Sequence, residues 1–169
     1  WFVQASIGCE ARTHCSYCAI WKSVGKYRSK PLDACLAEIK LGAGIKTLHI
    51  MDSGAYGTDI GLSLPDLLRG ALDIPGRSRI FLECLNPKWA ILYAKELADL
   101  ARGGRIEAIR FAHQSGSDRI LKMMKRPYSA KAGLECVREI KRACPRIRLM
   151  TQFIVGFPSE TEEDFKQTL

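Results

Sequence analysis

Phe2-Val-Gln-Ala-Ser-Ile7 runs through Gly8 into Cys9-Glu-Ala-Arg-Thr-His-Cys15-Ser-Tyr-Cys18, so a short apolar strand delivers three cysteines in a C-x5-C-x2-C pattern. Three nearby thiolates are an odd count for a structural metal. A closed zinc site wants four ligands, commonly as two spaced pairs, and here there is one C-x2-C pair with a lone cysteine ahead of it. Thiolates also ligate iron-sulfur clusters, where four cysteines fill a cubane, and supplying three leaves one iron open to a substrate or cofactor. His14 lies inside the loop and could complete a zinc site, so both readings stand on spacing alone. A disulfide framework fits poorly, because seven cysteines is an odd number and no secretory segment is visible.

Outward from that loop the chain repeats one device: an apolar run, a polar loop, then a helical period. Pro31 opens a helix with Leu32, Cys35, Leu36 and Ile39 at i, i+3, i+4, i+7, which makes Cys35 a core thiol. Ile45 to Met51 is the second strand, and it runs into Asp52-Ser-Gly-Ala-Tyr-Gly-Thr-Asp59. Ser63 caps the helix that follows. Arg79 to Leu85 is the third strand, broken at Asn86-Pro87 before a helix from about Lys88 to Arg102. Ile106 to His113 is the fourth, leading to Gln114-Ser-Gly-Ser117. Ser117 and Ser129 cap two more helices, the second with Leu134, Val137 and Ile140 inward, while Cys136 and Cys144 read as packing. Arg146 to Val155 is the fifth strand, and Ser159 with Glu162 reads as the capping box of a last helix. Five strand-then-helix units argue for a parallel sheet with right-handed crossovers. Loops after the strands of such a sheet collect at one mouth, which gathers the cysteine loop, the Asp52 loop, Asn86-Pro87, the Gln114 loop and Gly156-Phe157.

At 169 residues this is most simply one domain, and both ends read as cut: Trp1 starts inside an apolar run and Leu169 stops in mid-helix. The formal charge of +8 permits an anionic partner such as nucleic acid, and solvated helix faces account for it equally well. No stretch approaches a membrane span, no leader is visible, and the thiols suit a reducing, cytoplasmic setting.

Cys15-Ser-Tyr-Cys18, Arg28-Ser-Lys-Pro31, Gly54-Ala-Tyr-Gly-Thr-Asp59, Gln114-Ser-Gly-Ser-Asp118, Met124-Lys-Arg-Pro-Tyr128 and the stretch from Ile154 to Phe165 together resemble the radical S-adenosylmethionine (SAM) core of the methylthiotransferases. Within that family, Asp52 to Gly61 and Leu85-Asn-Pro87 are most similar to the archaeal and eukaryotic branch acting on threonylcarbamoyladenosine in tRNA. The resemblance implies an α/β fold, a partial parallel (β/α) barrel with five of six β/α units present over residues 1–169. It further implies a [4Fe-4S] cluster on Cys9, Cys15 and Cys18, with SAM on the fourth iron. One electron would then cleave the cofactor to a 5'-deoxyadenosyl radical that takes hydrogen from an unactivated C–H, for methylthiolation of a tRNA adenosine derivative. A reductant such as flavodoxin or ferredoxin, an amino-terminal domain with a second cluster, and a small carboxyl-terminal RNA-binding domain come with the same resemblance.

Cofactor-contacting residues follow from it too. Tyr17 resembles the aromatic neighbour of the adenine, and the Gln114-Ser115-Gly-Ser117 loop would bond the ribose and amino acid portion. Arg126 is a candidate for the cofactor carboxylate, Asp52 for its ammonium group, and Ile154 with Gly156 for the adenine pocket. Three departures stand against the family pattern. The cluster loop commonly reads C-x3-C-x2-C, Arg110, Ala112 and His113 fall where His, Pro and Val are usual, and Thr151-Gln152 replaces a Thr-Asp pair. His113 is then either a new polar group or a core histidine. Two other readings remain: a divergent radical SAM enzyme acting on a small metabolite or peptide, and a zinc-stabilised nucleic-acid-binding module.

Overall fold

The computed structural model describes residues 1–10, 15–41, 44–49, 52–76 and 78–169. Five strands, β1 (Phe2–Gln4), β4 (Ile45–His49), β5 (Arg79–Leu85), β6 (Ile106–Gln114) and β7 (Arg148–Phe153), form one sheet in chain order. Every neighbouring pair in it is parallel. Each crossover carries helix: α1 (Leu32–Lys40), α2 (Leu64–Asp73), α3 (Pro87–Leu92) with α4 (Ala94–Ala101), and α5 (Asp118–Met123) with α6 (Ala130–Ala143). A final helix, α7 (Glu162–Thr168), follows β7. This is the expected α/β partial barrel, and the physical reason shows in the strands. Parallel strands covered on both faces read as unbroken apolar runs. Here β5 alternates instead: Ile80, Leu82 and Leu85 are buried while Phe81 and Glu83 are only half-covered. The buried face packs against Cys35 and Ile39 of α1, Leu67, Leu68 and Ala71 of α2, Leu97 and Ala101 of α4, and Ile140 of α6. The other face carries Arg110, which pairs with Glu83 and lies 5.3 Å from the Phe81 ring.

Several boundaries differ from the sequence reading. The first strand is two: after β1 the chain leaves the sheet at Ala5, and β2 (Ser6–Ile7) pairs antiparallel with β3 (Arg28–Ser29). That ribbon closes the base of the cysteine loop. Gly8 is required at the closure, since its φ is +84° and a Cβ there would stand 2.8 Å from Tyr27 Cα. The helix expected from Lys88 to Arg102 breaks at Tyr93, whose ψ of 20° interrupts the helical run. The last capping box lies on Thr161 and Asp164 rather than Ser159 and Glu162, because Ser159 adopts φ 69° and cannot enter a helix. Leu134 of α6 is exposed, and Gly133, Cys136 and Ile140 take the buried stripe. The fifth strand is shorter than expected, Ile50 and Met51 at the end of the second lie outside the described residues, and so does His14.

Candidate functional site at the carboxyl mouth of the sheet

Two strands lose regular pairing where they reach the mouth. Register shifts fall between Leu82 and Leu85 on β5 and between Phe111 and Gln114 on β6, and both contain a left-handed residue, Cys84 at φ 56° and Gln114 at φ 72°. Such irregularities re-aim side chains at the ends of strands and gather next to active sites. The segments beyond them converge on the cysteine loop. Glu10, next to Cys9, reaches Lys88 of α3 at 3.7 Å, and Asn86 caps that helix by accepting from Lys88 N at 3.1 Å. Ser16 docks the far side of the loop on the end of α5: its hydroxyl donates to Met123 O at 2.9 Å and its N–H to Met124 O at 3.3 Å. Cys15, Cys18 and Cys9 are in no disulfide, and all three are half-buried.

Arg126 follows α5 and is 9% exposed. Its Nη2 donates to Ala112 O at 2.7 Å, its Nε to Tyr128 Oη at 3.1 Å, and its Nη1 to Cys15 Sγ at 3.4 Å. Tyr128 in turn donates to His113 O at 2.7 Å. The guanidinium expected on the cofactor carboxylate therefore has every nitrogen engaged, one of them on a cysteine. Tyr17 stands near both Cys15 and Arg126. Burial raises its phenol above the usual range, Arg126 opposes this, and its side chain is 36% exposed.

Asp52 and Ser53 form the floor of the second loop. Ser53 Oγ is buried without a hydrogen-bond partner, and Asp52 Oδ1 and the neighbouring Trp89 Nε1 are buried close together but too poorly aligned for a full hydrogen bond. Burial raises the Asp52 carboxyl, with Trp89, Lys88 and Arg126 pulling the other way. Unsatisfied buried polar atoms are uncommon and costly, so a cluster of them at a mouth marks where a ligand's polar groups belong.

The Gln114 loop is built differently. Ser115 and Ser117 are 2% and 1% exposed, and their hydroxyls are spent inside the fold: Ser117 Oγ donates to Asp164 Oδ1 at 2.6 Å, and Ser115 Oγ accepts from Ser117 N at 3.1 Å. Ser117 also caps α5 as the sequence suggests. Gln114 alone keeps a side-chain amide with no hydrogen bond among the described residues. Its carbonyl accepts from Ile154 N at 2.9 Å, which ties the half-buried Ile154 to the mouth. Gly156 is exposed, has φ 75°, and donates its N–H to Glu160. His113 falls between the two alternatives, half-buried and lining a cavity with Phe111, Thr151 and Phe153. It packs against Gly133 of α6, its Nδ1 lies 3.0 Å from Thr151 Oγ1, and burial lowers its pKa.

Four participants escaped the sequence reading: Glu10 with Lys88, Ser16, and Asp164. The first three are ordinary surface residue types with no local pattern. Asp164 carried a signal, the T-x-x-D spacing from Thr161, which the adjacent Ser159 and Glu162 spacing masked.

The thiol set fits an iron-sulfur cluster better than a lone ion. Among the described residues no three His, Cys, Asp or Glu side chains form a single-ion site, and His14, which the spacing offered to a zinc, lies outside them. A cubane instead presents a separate iron to each thiolate, and soft sulfur donors suit it. Comparison with known proteins agrees. The chain is 36% identical to a probable threonylcarbamoyladenosine tRNA methylthiotransferase of Archaeoglobus fulgidus over 96% of its own length and 39% of the relative's. It is 36% identical to a ribosomal protein uS12 methylthiotransferase, RimO, of Moorella thermoacetica, over 98% of its length and 39% of that protein's. The chain thus spans about two fifths of the curated relatives it matches. In fold it superposes on the cobalamin-dependent SAM radical enzyme OxsB with a TM-score of 0.74 at 12% identity, covering 99% of this chain and 25% of that one. The zinc-module reading is not favoured by any of these. The Radical SAM superfamily model matches residues 3–169, and the chain belongs to that superfamily, whose members use a [4Fe-4S] cluster and SAM.

Proposed function

We propose that the chain is the radical core of a methylthiotransferase acting on an adenosine derivative in tRNA. Cys9, Cys15 and Cys18 would hold the cluster, and Tyr17, Asp52, Gln114, Ser115, Ser117, Arg126, Ile154 and Gly156 would frame the cofactor. The carrying observation is the half-buried, disulfide-free thiol loop at the carboxyl mouth of a parallel partial barrel. When bound, the cluster and SAM supply a carbon radical that takes hydrogen from an unactivated C–H, and the difficult chemistry is theirs. The protein's part is to bind, orient and keep water out. Gln114, with its free amide beside strained backbone, presents a donor and an acceptor to polar atoms of the cofactor. Asp52 offers a buried carboxylate to an ammonium group, whose arrival would favour its charged form. Ser115 and Ser117 act as frame, contributing through the backbone they hold still.

The relatives' names divide between a tRNA nucleoside and a ribosomal protein. The tRNA assignment rests on the loop similarity over Asp52 to Gly61 and on the net charge of +8. Flanking domains for sulfur supply and RNA binding, an electron donor of the flavodoxin or ferredoxin class, and a cytoplasmic location belong to the same reading. Among the described residues no helix is long and apolar enough to cross a membrane. Anaerobic reconstitution tests the core: about four irons per chain, lost on Cys15→Ala, is the expected result. Metal-free protein, or one tightly held zinc, would overturn it. For the substrate, the full-length protein should add mass to an adenosine of tRNA, and cofactor cleavage with no such product removes the tRNA assignment.

A further inference from the structure

Arg126 is a buried cation whose charge reaches the buried Asp52 carboxyl without a direct ion pair to it. It makes no ion pair with any carboxylate among the described residues, and its fixed partners, Ala112 O and Tyr128 Oη, are neutral dipoles. The Tyr128 ring lies 5.2 Å from its guanidinium carbon, which adds cation–π attraction and restricts the planar fork. The turn that carries it is fixed as well, since Lys125 adopts φ 58° and Arg126 N donates to Leu121 O at 2.9 Å. With two sides of the fork held, the remaining Nη1 is aimed at Cys15 Sγ, 3.4 Å away across 111 residues of sequence. Burying an unpaired charge is expensive. Cys15 is the one partner of this guanidinium that carries formal negative charge when deprotonated for ligation.

Resting on the cluster reading above, we infer that Arg126 is a positioning residue for the cluster: it fixes Cys15 and donates an N–H···S hydrogen bond to the ligating thiolate. Two consequences follow. A donor to a ligating sulfur draws electron density from it and makes the cluster easier to reduce, because hydrogen bonds to sulfur and local charge set the potential. The same contact holds the middle cysteine of a loop two residues longer than the family's usual one. The Met124-Lys-Arg-Pro-Tyr128 motif thereby acts on the cluster through Cys15.

The test uses the anaerobically reconstituted protein, with iron content measured first and the midpoint potential then read by redox titration of the reduced cluster's EPR signal. Arg126→Lys keeps the charge and loses the fork. It should hold the parent's iron and be reduced at a more negative potential. Arg126→Met should shift further in the same direction, and Tyr128→Phe, which frees Nε, should shift less. If Arg126→Met fails to fold, the lysine and phenylalanine variants carry the test. Unchanged potentials in both, with or without a fall in SAM affinity, overturn the inference, and a fall in affinity alone returns Arg126 to the cofactor carboxylate. A parent protein that takes up no iron overturns the underlying cluster reading instead. One that holds four irons yet leaves tRNA unmodified overturns only the substrate assignment.

Discussion

The two loops at the mouth solve opposite problems. The Gln114-Ser115-Gly116-Ser117 loop is clamped against α7: Gly116 N donates to Thr168 Oγ1 at 2.9 Å and Ser117 Oγ to Asp164 at 2.6 Å. Asp164 also takes Arg119 and the backbone N–H of Thr161, so one carboxylate joins α5, the turn before α7, and the loop. The described residues of the cysteine loop touch the rest of the mouth through scattered contacts, among them Glu10–Lys88, Ser16 on α5 and Cys15–Arg126, while the thiols stay half-exposed. Polar groups satisfied internally make a rigid frame and leave little for a ligand. Groups left unsatisfied are where a ligand completes the structure. Substitutions in the frame should accordingly cost fold stability without metal, and substitutions in the cysteine loop should cost metal without fold stability.

Gly116→Ala tests the frame most severely. A Cβ there would stand 2.2 Å from Gln167 O and 2.7 Å from Thr168 Cα, both backbone atoms that cannot swing aside. Overpacking of this kind costs about 3 kcal/mol, read by denaturant unfolding of the metal-free chain. A cost near zero would show that α7 is not clamped. Ser117→Ala should cost about 2 kcal/mol, combining a lost helix cap with a lost bond to a carboxylate.

What was legible in advance divides along the same line. Strands, crossovers and the caps at Ser63, Ser117 and Ser129 were readable because each depends on residues within one helical turn or one strand. The thiol trio was readable because cysteine spacing states its chemistry. The break at Tyr93 was not, since nothing in Lys88 to Arg102 departs from helical period. Neither was the contact of Arg126 with Cys15 or the role of Asp164. A basic residue past a helix and an acidic one at a helix start have solvated readings that serve equally well. Only the folded chain brings Arg126 to Cys15, or Asp164 to Ser117 across 47 positions. The Leu134 error has another origin: an i, i+3 stripe on α6 can be drawn through 134 or 133, and the small Gly133 lets His113 and the sheet approach on its side.

Acid should undo the frame in two steps. Burial lowers the His113 pKa, so between its folded value and the ordinary value of about 6.5 the folded state binds fewer protons than the unfolded chain. Stability is therefore full above about pH 6.5 and falls as pH drops below it. Arg119, then Ser117 and Thr161, hold the Asp164 carboxyl well below the usual carboxylate range, which adds a second loss as pH falls below about 4. His113→Gln should flatten the upper step alone, and Asp164→Asn the lower. Unfolding curves at a series of pH values that show no change in either slope would detach these groups from the frame.

Ser16→Ala gives the smallest effect on stability and the sharpest separation of the two loops. Ser16 is exposed, and the substitution removes one hydroxyl bond to Met123 O while its backbone N–H still reaches Met124 O. Exposed changes of this kind stay within about 0.5 kcal/mol, so unfolding of the metal-free chain should be unaltered. The hydroxyl nonetheless ties the residue after Cys15 to the end of α5, and losing it lets the thiol wander from Arg126. Reconstituted Ser16→Ala should therefore surrender iron to a chelator several-fold faster than the parent, while Ser117→Ala, at its greater cost in stability, should change that rate less. The reverse order of chelation rates would mean that the cysteine loop borrows its geometry from the frame, and the division between the two loops would fail.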